Sequence, residues 1–252
     1  MSDIKRRREE ETTVDIFKYD NKKDYSGLDY KKVLEYLEIE SDELFSKDED
    51  IPMKDTDDEV IGYISKSLII VTKAQGIVNE GNETKRKEFI SIIINSIVAE
   101  YYDKKVKVLT EESIEGEEVK GPVEYVIVHK KYILIIIEAK KDDFEQGRAQ
   151  LLMQLYNAYI KNIKNGAPYN HTVYGIVTTG YSWEFIWCKG NSNINSIQDV
   201  KSNIIWNYKQ QIHPIEMNLK KEKEQWKERV SPLVKKLNYM IDYSLNQFTK
   251  NN

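Results

Sequence analysis

The chain has 252 residues, 40% of them hydrophobic and 32% charged, with a formal net charge of −4. That length supports one substantial domain with appendages, and no apolar run approaches the roughly 20 residues that a membrane-spanning helix needs. A single cysteine, Cys188, excludes an internal disulfide framework and fits a reducing compartment.

The opening MSDIKRRREEE lacks the apolar stretch of a secretory signal, so the expectation is an intracellular protein of cytoplasm or nucleus with no membrane partner. His129, His171 and His213 show no metal-ligand spacing, which argues against structural zinc. The charge is unevenly divided: residues 1–60 carry −9 and residues 61–252 carry +5. The larger part is therefore mildly basic, which permits phosphate contacts without demanding them.

In chain order, residues 1 to about 25 are highly charged and read as a mobile tail. Lys5-Arg6-Arg7-Arg8 is either a solvated charge run or a phosphate-binding or nuclear-import patch. Leu28–Phe45 predicts one or two short helices, and the acidic Ser46–Asp58 a linker. Val60–Val78 reads as a helix capped by Asp57-Asp58, and Asn82 as the cap of a second helix over Glu83–Tyr102. In that helix Glu83 heads the face that carries Ile90, Ile94 and Ile97. A first-turn carboxylate also suits the helix dipole, so its alignment with the apolar stripe leaves two readings open.

Val106–Thr110 predicts a strand and Glu111–Glu118 an acidic loop. Gly121–Lys140, GPVEYVIVHKKYILIIIEAK, holds two short runs rich in Val, Ile and Tyr around a polar break, the pattern of an antiparallel hairpin. A loop at 130–132 sets Glu124 opposite Glu138, with Lys140 on the same face two residues on. Two carboxylates and a lysine at one strand end form either a rim salt bridge or a site for a hard cation such as Mg²⁺ or Mn²⁺.

Glu145–Lys164 reads as a helix ended by Asn165-Gly166. Its Gln146, Gln150 and Gln154 fall at i, i+4, i+8, as a solvated face or as donors to a phosphate backbone. Thr172–Thr178 and Trp183–Cys188 predict two more strands, and Gly190–Ser202 a loop. Ile215–Asn246 predicts a C-terminal helical region broken near Ser231-Pro232.

The order helix with Glu83, strand, strand with Glu124, strand with Glu138-Ala139-Lys140, helix, strand resembles the PD-(D/E)xK nuclease superfamily. It is nearest to the nuclease-like domains of fungal and crinkler-type proteins, on GPVEY, IEAKKDDFEQGRAQ and VYGIVTTGYSWEF. The resemblance covers about residues 79–190. It implies an α/β fold with a restriction-endonuclease-like three-layer core (α-β-β-β-α-β, a mixed central sheet flanked by helices) and extra N- and C-terminal helices. The corresponding layout is an acidic N-terminal region at 1–60, a nuclease-like core at 61–213 and a C-terminal helical region at 214–252.

Carried over by position, the resemblance makes Glu124 and Glu138 metal ligands, with Glu83 as the helical acid and the Ala139 carbonyl facing the metal. It makes Lys140 the lysine at the scissile phosphate and Gln150 the glutamine of the following helix. Glu124 stands where the pattern usually has aspartate. The implied activity is Mg²⁺- or Mn²⁺-dependent hydrolysis of phosphodiester bonds in DNA or RNA, and dimers are common in the superfamily, so a homodimer is admitted. The alternative is a catalytically degenerate fold of this type that binds nucleic acid or protein.

Overall fold

The computed structural model describes residues 23–40, 50–78, 82–117, 119–212 and 223–249. The Lys5–Arg8 patch, His213 and most of the acidic stretch from Ser41 lie outside the described residues.

Two caps foreseen in the sequence set the first long helices. Asp57 accepts from the Glu59 amide at 2.8 Å and starts α2 (Asp58–Gln75); α1 is the short Tyr30–Tyr36 before it. Asn82 accepts from the Lys85 amide at 3.0 Å and starts α3 (Glu83–Ala99). Each side-chain oxygen satisfies an amide that the helix itself leaves unpaired.

A short β1 (Lys23–Asp24) pairs with β3 (Val119–Lys120), and six longer strands form the central sheet. These are β2 (Val106–Ser113), β4 (Pro122–His129), β5 (Tyr132–Ala139), β6 (Thr172–Thr178), β7 (Trp183–Gly190) and β8 (Ile204–Ile212), in the spatial order β2-β4-β5-β6-β7-β8. Within the central sheet only β5 and β6 run parallel, joined through α4 (Phe144–Lys164), because a parallel pair needs a long crossover. The helices α2, α3 and α5 (Lys223–Thr249) cover one face, and α4 with α1 covers the other. The result is a three-layer α/β core around a mixed sheet, in the expected order of helix, three strands, helix and strand.

The hairpin keeps the expected register where it matters, by a different route. The turn has two residues, Lys130-Lys131, not three, so His129 pairs with Tyr132. A bulge after Ile133 then inserts one residue, and from Ile127↔Ile135 onward the register returns to Tyr125↔Ile137. The bulge is held from α4: Asn162 Oδ1 accepts from the Ile133 amide and Asn162 Nδ2 donates to the Ile133 carbonyl, both at 2.8 Å.

Several expectations are corrected. Residues 23–25 are not tail: Tyr25 is buried, donating to the Ile114 carbonyl and accepting from Asn157 Nδ2, both at 2.9 Å. The acidic loop starts later than expected, since Glu111–Ser113 continue β2. The described part of the linker, 50–57, is strapped to α5: Ile51 is buried, Lys236 donates to its carbonyl at 3.0 Å, and the Lys54 amide donates to Lys235 at 3.1 Å.

Strand β8 was not foreseen. Its Trp206 and Tyr208 are buried at period-two spacing, but Asn207 and Lys209 mask the pattern in the sequence. Nor does α5 break at Pro232. Val230, Leu233, Val234, Leu237, Met240 and Ile241 are all buried, and at about 1.5 kcal/mol or more each they outweigh the roughly 3 kcal/mol that an interior proline costs.

Candidate active site

Three elements meet the carboxyl end of β5: the start of β4, the first turns of α3, and the N-terminal half of α4. Continuing the β4–β5 register by one residue sets Glu124 opposite Glu138. Glu138 pairs across β6 with Val177, and Val177 with Glu184 of β7. Glu124, Glu138 and Glu184 therefore lie in one row across a single face of the sheet, and Val177 separates the last two. At about 4.8 Å per strand, Glu138 and Glu184 are about 10 Å apart.

Each carboxylate of the row has its own cation. Lys87 lies 2.6 Å from Glu124, Lys140 lies 2.7 Å from Glu138, and Arg148 makes two bonds of 2.8 Å to Glu184. The Arg148–Glu184 fork is a bidentate pair with Glu184 fully covered, and it locks α4 onto β7. Glu138 is only 4% exposed. Burial raises its carboxyl above the ordinary range, with Lys140 and Gln154 opposing the rise and Glu124 adding to it.

The glutamine row of α4 is not a solvated face. Gln154 is wholly buried and donates through Nε2 to Glu138 Oε2 at 3.1 Å, so it serves the carboxylate and not a phosphate backbone. Gln150, one turn earlier, is also buried, and Gln146 donates to the Ser26 carbonyl at 2.9 Å. Gly147 lets this helix close on the site. A Cβ there would sit 2.6 Å from Val177 Cγ1 and 3.0 Å from Lys140 Cγ, so any side chain would push against both the row and the lysine stem.

Glu83 stands apart. Its side chain is 63% exposed, and its partner is Lys87 at 2.9 Å. The buried part of its helix face begins at Arg86, which donates to the Thr179 carbonyl at 3.1 Å and ties α3 to the turn after β6. Ala139 is buried at the end of the parallel ladder, paired with Thr178, and the Lys140 amide donates to Thr178 at 2.8 Å. Both described histidines bond to backbone: His129 Nδ1 to Lys104 O at 2.8 Å and His171 Nδ1 to Pro168 O at 2.7 Å.

The fit to a hard cation is a matter of donor chemistry. Among the described residues no three His, Cys, Asp or Glu side chains gather as a metal cluster. The site does hold Glu124 and Glu138 side by side. It also holds two buried carboxamide oxygens, Gln150 Oε1 and Gln154 Oε1, with no hydrogen-bond partner among the described residues. Buried polar atoms are seldom left so, and an all-oxygen set of this kind suits one Mg²⁺ or Mn²⁺ better than zinc.

Sequence reasoning missed Lys87, Gln154's role, Arg148, Glu184 and Gly147. The i,i+4 spacing of Glu83 and Lys87 and the quoted motif containing Glu184 were the available signals. A groove of about 870 Å³ lined by Tyr36, Tyr156, Asn157, Lys161, Lys164 and Lys201, among others, includes none of the glutamate row.

No family model matches the chain. Over 140 residues, 54% of this chain, it is 32% identical to Crinkler effector protein 5 of Phytophthora infestans, and it spans 38% of that protein's length.

Proposed function

We propose that the chain is a metal-dependent nuclease that hydrolyses phosphodiester bonds in DNA or RNA. The observation that carries this reading is the register that sets Glu124 against Glu138, with Lys140 bonded to Glu138 at 2.7 Å at the open end of the sheet. The partial likeness to a crinkler effector supports the same family of folds.

Glu124 and Glu138 would hold one Mg²⁺ or Mn²⁺, with the Ala139 carbonyl and the two unpartnered carboxamide oxygens as further donors. When bound, such an ion neutralises charge on the phosphoryl oxygens and lowers the pKa of an attacking water. The protein's own part is electrostatic and positional. Lys140 Nζ balances charge beside the scissile phosphate and orients the water. Gln154 Nε2 fixes the Glu138 carboxylate, leaving its other oxygen to Lys140. Arg148–Glu184 and Gly147 hold α4 at the distance that keeps these bonds.

One observation favours a second reading, a degenerate fold that binds without cutting: Glu124 and Glu138 each already carry an ammonium partner. The two are separated by incubating labelled single- and double-stranded DNA and RNA with Mg²⁺, Mn²⁺ or EDTA, beside Glu138→Ala. Cutting that needs the metal and disappears in the variant is expected. Nucleic-acid binding with no cutting of any substrate in either metal would establish the second reading instead.

A further inference from the structure

Among the described residues, Lys87 is the cation that joins a carboxylate of the row, Glu124, to the outlying Glu83. Its Nζ lies 2.9 Å from Glu83 and 2.6 Å from Glu124, at 28% side-chain exposure. An i,i+4 Glu–Lys pair alone is an ordinary helix-surface feature. Two further facts set this one apart. The second carboxylate comes from a different element, β4. The backbone of Lys87 is also clamped to that strand, because Tyr125 Oη donates to the Lys87 carbonyl at 3.0 Å and bonds Ser91 Oγ at 3.0 Å. The residue next to Glu124 thus fixes the helix turn that carries Lys87, and the two ion pairs hold the ammonium between Glu83 and Glu124.

Resting on the nuclease reading, we infer that Lys87 is a built-in cation holding the place that a second divalent ion would take between Glu83 and Glu124, so that the chain works with a single bound ion. Glu83 and Glu124 would be the residues to offer carboxylate oxygens to such an ion, in the space the ammonium fills. The charges agree. Glu83, Glu124 and Glu138 against Lys87 and Lys140 leave one negative charge. One divalent ion turns that to one positive charge, which a phosphodiester's single negative charge cancels. A second ion beside the retained Lys87 would leave a surplus of two, and one that displaced it a surplus of one.

The test is Mn²⁺ binding by the full chain, followed by calorimetry and by the electron paramagnetic resonance of the bound ion, with melting temperature as a check on folding. One Mn²⁺ per wild-type chain is expected. Lys87→Met, which keeps length and removes charge, should bind two, and Glu83→Gln added to Lys87→Met should return the count to one. Two ions on the wild type would overturn the inference without needing any variant, and so would a single ion on both wild type and Lys87→Met. Either of those results leaves the metal-dependent reading standing. No Mn²⁺ on the wild type or on Lys87→Met would overturn that reading, and the inference with it.

Discussion

Replacing Lys140 by methionine isolates the electrostatics of Glu138. The ammonium lies 2.7 Å from a carboxylate that is 4% exposed, so its removal leaves a buried charge that Gln154 hydrogen-bonds and Glu124 repels. Kept ionised, such an orphan costs about 3–5 kcal/mol. It escapes by taking a proton, at about 1.4 kcal/mol for each pH unit that separates the solution from its folded pKa. Burial already raises that pKa, so the native state holds more protons than the unfolded chain does. Stability therefore falls as pH rises from the ordinary glutamate value through the folded one.

Losing Lys140 moves the upper edge of that window higher. The deficit of Lys140→Met relative to wild type should be small at pH values below the wild-type folded pKa of Glu138 and should widen by up to about 1.4 kcal/mol per pH unit above it, until the orphan's full cost is reached. Urea unfolding at a series of pH values reads this directly. Adding Glu138→Gln should remove the widening, since an amide has no charge to lose. A deficit that is constant with pH, or one that widens equally in the double variant, would refute the argument.

Three further outcomes follow from the geometry. His171 stacks on Tyr159 at 4.2 Å and donates through Nδ1 to Pro168, and burial lowers its pKa to about 4. The stability this contributes is present above the unfolded value of about 6.5 and is lost as pH falls toward 4, about 2 kcal/mol of it by about pH 5; His171→Gln should flatten that acid limb in urea titrations. Gly147→Ala should lower stability by about 1–3 kcal/mol, because its methyl meets Val177 and Lys140, and the accompanying loss of cleavage should exceed that of an exposed-face control such as Lys161→Ala. Asn162→Leu removes both bonds to Ile133, and hydrogen exchange should then show lost protection concentrated in β4 and β5, not spread over the sheet.

What the sequence made legible was local and periodic. Asp57 and Asn82 announced two helices because a cap is chemistry within three residues. The strands of the hairpin were legible from their β-branched runs, and the Glu124–Glu138 opposition from the same alternation. The turn itself was not legible. Lys130 adopts a positive φ of 54° in a two-residue loop, and the missing residue is made up by a bulge that Asn162 stabilises from 29 residues away. No spacing rule encodes that compensation.

Lys87 escaped notice for a related reason. A lysine four residues after a glutamate reads as a surface pair, and only the docking of α3 on β4 brings Glu124 to it. Glutamines at helical spacing read as solvated because the sequence does not show which side of a helix meets a sheet's charged end. Strand β8 was hidden by its polar residues, which an edge position tolerates.

Tyr25 and its neighbours bear on how this protein can be divided. Leu28, Val33, Leu34 and Leu37 share one core cluster with Leu151, Leu152 and Leu155 of the helix that carries Gln154, and Tyr25 holds Asn157 of the same helix. A fragment begun at residue 61, where the charge pattern invites a cut, would lift the cover from the helix that bonds Glu138. The smallest transferable unit therefore starts near residue 23. Any shortened version that loses cleavage would report first on a stripped core.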